Sequence, residues 1–132
     1  MSAPDIILDT QAFLWVLQAP ERLSAAAEAA ILDADALYVS AASIYEISNK
    51  YRLGKLPAVA PLILDGWKKV VDNAQVGVLP VTLDDAEYAG LYQVAPHRDP
   101  WDRIIAAQGV LRVFPVVSTD AKLDDLGVTR LW

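Results

Sequence analysis

Short apolar runs that stop at a polar residue alternate along this chain with stretches in which apolar side chains return every three or four positions. The alternation predicts strand followed by helix several times over. The first run, Asp5 to Leu8, stops at Asp9, and from Thr10 to Leu17 the residues Phe13, Leu14 and Leu17 recur at helical spacing. An alanine-rich helix is predicted from Ser24 to Ala34, since alanine has the highest helix propensity. Leu37-Tyr38-Val39 reads as a second buried strand, ending at Ser40. The helix after it, from about Ala42 to Leu53, carries Ile44, Ile47 and Tyr51 on one stripe, with Gly54 as its stop signal.

One long helix is predicted from Pro61 to about Asn73, where Leu62, Ile63, Trp67, Val70 and Val71 keep the period. Val76 to Val81 forms a third strand interrupted by Pro80, which has no N–H for a ladder and so marks a strand end or edge. Thr82 opens Thr-Leu-Asp-Asp, an N-cap pattern for a helix reaching Tyr92. Pro96-His97-Arg98 reads as a loop. Asp99-Pro100-Trp101-Asp102 is a helix start, with Asp99 as N-cap, Pro100 first and Asp102 third in a helix to about Arg112. Pro115 to Ser118 is a fourth strand, Asp120 opens a short helical turn, and Thr129 to Trp132 is a fifth, edge strand. Parallel neighbours need crossover connections, so this order predicts an α/β fold. The expected architecture is a central parallel sheet of four to five strands flanked by helices, as one domain over residues 1–132.

Composition narrows the chemistry. Without cysteine there are no disulfides, zinc thiolates or thiol nucleophile. No apolar run approaches the ~20 residues of a membrane span and the N-terminus lacks a basic-then-apolar signal, so a soluble cytoplasmic chain is expected, with no membrane partner. A net charge of −6 argues against a broad basic surface for nucleic acid. A bound divalent cation would invert the local field, however. Lys50, Arg52, Lys55, Lys68 and Lys69 also crowd one stretch, either as a local basic patch or as a solvated helix surface.

In an open parallel sheet, ligands bind beyond the carboxyl ends of the strands. Asp9 ends the first strand, and Asp120 follows the fourth with Thr119 between. Glu46 and Asp102 are expected in the first turns of helices leaving the same edge. Convergence of four carboxylates calls for a cation, because two unit charges about 4 Å apart repel by ~1 to 4 kcal/mol. Magnesium suits the donors: it prefers oxygen and retains waters, one of which can attack a phosphodiester. Each acid also has a purely structural use. Asp9 and Asp120 can cap helices, Glu46 can pair with Lys50 one turn on, and Asp102 can complement a helix dipole. Asp102 stands out because Ile105, Ala106 and Gly109 share its face, so an acid rises from an apolar stripe. Asp99 is an auxiliary candidate already accounted for by its cap role. Thr10, Ser43, Ser118 and Thr119 are hydroxyls that either orient carboxylates and waters or form caps and turns. The lone His97 belongs to no nucleophile–base arrangement and is given no catalytic role.

Four segments in this order, Ile7-Leu8-Asp9-Thr10-Gln11-Ala12, Ser40 through Ile47 around Glu46, His97-Arg98-Asp99-Pro100-Trp101-Asp102-Arg103 with the Ile104 to Gln108 that follow, and Val117-Ser118-Thr119-Asp120, carry a resemblance over nearly the whole chain. The sequence resembles the PIN-domain ribonucleases, and in particular the VapC toxins of bacterial toxin–antitoxin pairs. The resemblance implies that Asp9, Glu46, Asp102 and Asp120 bind magnesium or manganese for hydrolysis of RNA. It also implies a homodimer within a larger toxin–antitoxin assembly, and silencing by a small VapB-type antitoxin that inserts a segment, often with an arginine, into the acidic groove. The helix surfaces around Trp15, Ile44 and Trp67 are candidates for those contacts, with core packing as the alternative. A receiver-type phosphoacceptor domain also places acids at strand ends, but needs paired acids after the first strand where this chain has one. Against a non-catalytic PIN-like interaction module stand the four intact acids.

Overall fold

The computed structural model describes residues 3–93 and 99–132, so the expected Pro96-His97-Arg98 loop lies outside the described residues. Five strands, β1 (Asp5–Leu8), β2 (Ala36–Ser40), β3 (Val76–Leu79), β4 (Val116–Val117) and β5 (Arg130–Leu131), form one all-parallel sheet in the order β3-β2-β1-β4-β5. The helices are α1 (Thr10–Gln18), α2 (Ala25–Asp33), α3 (Ala41–Arg52), α4 (Ala60–Asp65), α5 (Trp67–Ala74), α6 (Leu83–Leu91) and α7 (Pro100–Arg112). From β1 the chain steps outward through β2 to β3, then returns across β1 to lay down β4 and β5. The order therefore reverses between β1 and β4, and their carboxyl ends open a crevice there.

β1 is central because both of its faces are covered. Ile6, Ile7 and Leu8 are wholly buried, and the period of two sends Ile6 and Leu8 to one side and Ile7 to the other. On one side they meet Phe13, Val39, Ile47, Val71 and Val117; on the other, Ile105, Ala106, Val116, Leu123 and Leu126. Each such side chain contributes ~1.5 to 3 kcal/mol of burial free energy. Ile44 and Trp67 pack against the first cluster, Trp67 lies 6.0 Å from the Phe13 ring, and Trp15 lies 5.5 Å from Trp132. All three side chains are half-buried, Ile44 and Trp67 against the core and Trp15 against Trp132.

The helix starts follow the sequence closely. Asp9, Ser24, Ser40, Thr82 and Asp99 each accept a backbone N–H as N-cap, and Thr82 forms a capping box with Asp85. Four expectations need correction. The single helix predicted from Pro61 to Asn73 is two, broken at Gly66, whose backbone (φ +87, ψ 140) lies outside the helical region; an apolar period runs through such a break unaltered. β3 stops at Leu79, ahead of Pro80 and on the sheet edge, and β4 is shorter than Pro115–Ser118. Glu46, expected in the first turn of the helix after β2, is the sixth residue of α3 and so stands in its second turn. Among the described residues no helix is long and apolar enough to cross a membrane.

Candidate active site

Asp9 leaves the end of β1 as the N-cap of α1, its Oδ1 accepting the Ala12 N–H at 2.8 Å. The cap and the pointing of the carboxylate out of the sheet edge are thus one feature. Burial, the largest influence, raises its pKa; the Ser118 hydroxyl and the Ala12 N–H oppose the rise, and Asp120 and Glu46 add to it. Ser118, fully buried just after β4, also accepts the Asp120 N–H on Oγ at 3.0 Å. It therefore touches both strand-end acids. Asp120 in turn caps the short 3-10 segment Ala121–Leu126 through the Lys122 N–H at 3.0 Å.

Glu46 arrives from α3. It is 7% exposed, and both of its oxygens are engaged: Thr10 donates to Oε1 at 2.8 Å, and Lys50 approaches Oε2 to 2.6 Å. Thr10 also shares a hydrogen bond with the buried Ser43 hydroxyl at 2.9 Å. The pairing of Glu46 with Lys50 and its place among the other acids are both realised, so the structural use does not displace the functional one.

Asp102 sits in the first turn of α7, whose N-cap, Asp99, accepts the Trp101 N–H at 2.9 Å. Its pKa is pushed up to about 7, first by burial and then by the charges of Asp99, Asp9, Glu46 and Asp120.

Asp9, Thr10, Glu46, Lys50, Asp99, Asp102, Thr119 and Asp120 line one groove of about 310 Å³, together with Gln11, Leu14 and Leu56. Asp99 stands exposed on its rim. Gln11 lies in the first family-like segment and Leu14 in the apolar stripe of α1, but neither they nor Leu56 carry a sequence signal that points to a groove. A larger cavity of about 870 Å³ lies along α6 and α7, but its one buried acid, Asp85, is already bound to Arg112 at 2.8 and 2.9 Å. The smaller groove is the one in which the four candidate acids meet.

Among the described residues no three acidic side chains form a ready-made ligand cage. The side-chain oxygens lining the groove are nevertheless those of carboxylates, hydroxyls and the Gln11 carboxamide, with no sulfur or imidazole among the described residues. Such a set fits a hard cation of magnesium type, which keeps several waters and needs only one or two direct carboxylates.

A sequence model of the PIN domain matches residues 6–128. Among solved structures, the fold is similar to that of VapBC2 from Rickettsia felis bound to a DNA fragment from their promoter, with a TM-score of 0.66, 13% identity and 96% of each chain covered. It is also similar to DNA-bound VapBC from Salmonella typhimurium (TM-score 0.63, 19% identity, 96% of each chain) and to FitAcB from Neisseria gonorrhoeae (TM-score 0.57, 20% identity, 95% of each chain). No curated protein matches the chain.

Proposed function

The chain belongs to the PIN domain family, and from that premise we propose that it is a metal-dependent endoribonuclease, the toxin of a VapBC-type toxin–antitoxin pair. PIN domains are generally nucleases that use divalent metals. The observation that carries the reading is the meeting of Asp9, Glu46, Asp102 and Asp120 in one groove at the β1/β4 crevice. Carboxylates that share one groove repel one another unless a cation joins them.

In this reading Asp9, Glu46, Asp102 and Asp120 would hold magnesium or manganese. The ion, when bound, supplies an activated water and neutralises charge on the phosphate. Ser118 keeps Asp9 and Asp120 aligned, and Thr10 fixes the Glu46 oxygen it donates to. Glu46 and Asp102, which line the same groove, are the acids placed to assist proton transfer.

The partners follow from the same reading. A VapB-type antitoxin with a basic segment complements an acidic groove in a chain of charge −6, and the similar structures named above are VapBC and FitAcB proteins. A homodimer within a larger toxin–antitoxin assembly, acting in the cytoplasm, completes the proposal.

The test is cleavage of structured and unstructured RNA by wild type and Asp9→Asn, with magnesium or manganese and with EDTA. Cleavage that needs metal and disappears in a folded Asn variant supports the reading. Undiminished cleavage by that variant, or none by folded wild type on a broad RNA panel, overturns it.

A further inference from the structure

The cations concentrated on α3 and beyond do not act as one patch. Arg52 bonds Asn49 at 2.6 Å and Lys68 pairs with Asp72 at 3.1 Å, each along its own helix, and Lys69 of α5 pairs with Asp65 at the end of α4 at 3.8 Å. Lys50 is different: among the described residues that line the acidic groove it is the one cation. Its ammonium lies 2.6 Å from Glu46 Oε2, yet its side chain is 44% exposed where that of Glu46 is 9%. The charge is anchored at a buried carboxylate and open to whatever enters the groove.

We propose that Lys50 is a substrate-positioning residue that binds the RNA phosphate next to the one being cut; the inference rests on the ribonuclease reading above. A phosphate backbone entering this groove meets Asp9, Glu46, Asp102 and Asp120 in a chain of net charge −6. A cation among those carboxylates offsets repulsion at the scissile phosphate, and a neighbouring phosphate needs its own counter-charge. Lys50 supplies it from the groove wall. Only the Lys50 side of the pair is open to solvent, so the ammonium can turn from Glu46 to a phosphate oxygen when a cation takes its place at the buried carboxylate. The same turn releases Glu46 Oε2 while Thr10 still holds Oε1, so taking up RNA frees a carboxylate oxygen for the metal. RNA and metal binding are thereby coupled through one side chain.

The test compares wild type, Lys50→Gln and Lys50→Arg on a single-stranded RNA at several salt concentrations, alongside Mn²⁺ titrations followed by electron paramagnetic resonance without RNA. Lys50→Gln is expected to raise KM roughly 5- to 10-fold with kcat changed less than about 2-fold. The slope of log KM against log salt should shrink by about 0.7, the loss of one phosphate contact on a single strand. Lys50→Arg should restore most of the KM. Without RNA, Lys50→Gln should bind Mn²⁺ several-fold tighter, because a competitor for Glu46 is gone. A residue that only neutralised the acids would move the Mn²⁺ titration and leave KM and the salt slope alone, and that result, or a fall in kcat at unchanged KM, overturns the assignment of Lys50 while leaving the nuclease intact. Wild type that neither binds Mn²⁺ nor cleaves RNA removes the ribonuclease reading, and this inference with it.

Discussion

Thr10 Oγ1 lies 2.8 Å from Glu46 Oε1, a bond that ties the first residue of α1 to the second turn of α3 and fixes one oxygen of a buried carboxylate at the groove. Thr10→Val keeps the shape and removes the donor. Cleavage should fall about 10- to 100-fold, as for other partners of metal-holding carboxylates, with a stability cost of ~1 kcal/mol, and Thr10→Ser should recover most of both. Rates and urea midpoints for the two variants check this. Equal loss in Val and Ser would assign the effect to packing.

The raised pKa of Asp102 makes the fold itself sensitive to pH. Its folded value of about 7 stands above the ordinary 3.8, with burial the first cause and Asp99, Asp9, Glu46 and Asp120 after it. Between those values the folded chain holds a proton that the unfolded chain has released. The stabilisation is therefore complete below about pH 3.8, is lost as pH rises toward 7, and changes no further above it. In EDTA the protein should be more stable at pH 5 than at pH 8, Asp102 contributing on the order of 1 to 2 kcal/mol after allowance for its partial solvent exposure. Asp102→Asn should flatten that slope, and added magnesium should raise stability at pH 8. Urea titrations at the two pH values decide it; an unchanged slope in the Asn variant would contradict the burial argument.

Much of this was legible beforehand. The order of strands and helices, the caps at Asp9, Thr82 and Asp99, and the placing of Asp9 and Asp120 at strand ends all follow from short-range patterns that local chemistry dictates. The split at Gly66 was not legible, because a periodicity records which face is buried and not whether the backbone stays helical between two segments that bury the same face. Nor was the exact reach of Glu46, which depends on how α3 packs beside α1 so that Thr10 meets its carboxylate. The groove walls Gln11, Leu14 and Leu56, and the pairing of Asp85 with Arg112 across two helices, come from tertiary packing that one sequence does not display.

That Asp85–Arg112 pair joins the start of α6 to the end of α7. The Asp85 side chain is 1% exposed, receives both guanidinium arms, and also accepts the Thr82 N–H at 3.0 Å. Burial is the largest influence on Asp85 and raises its pKa, but the bonds from Arg112 and Thr82 outweigh it and the net shift is downward. Stability from this pair is therefore present at neutral pH and lost as pH falls through the depressed folded value. Arg112→Leu should cost ~3 kcal/mol, since it strands a buried carboxylate, and Arg112→Lys should recover only part because it loses the two-armed geometry. Urea midpoints at pH 7 measure both; a neutral Leu variant would mean that the carboxylate finds water instead.

Gly77 on β3 offers a test of packing that leaves the groove untouched. A Cβ there would stand 2.8 and 2.9 Å from two carbons of the Tyr38 ring, on the neighbouring strand β2. The ring has little room to yield, because its other neighbour is Phe114, stacked at 5.7 Å and 8°. Gly77→Ala should therefore destabilise by ~1 to 3 kcal/mol, the usual cost of forcing atoms into a filled site, in spite of the gain in unfolded-chain entropy that Gly→Ala otherwise brings. Adding Tyr38→Leu should relieve part of that cost, so the two changes together should destabilise less than the sum of each alone. Strict additivity in urea unfolding of the single and double variants would show that the strand absorbs the methyl by shifting its backbone.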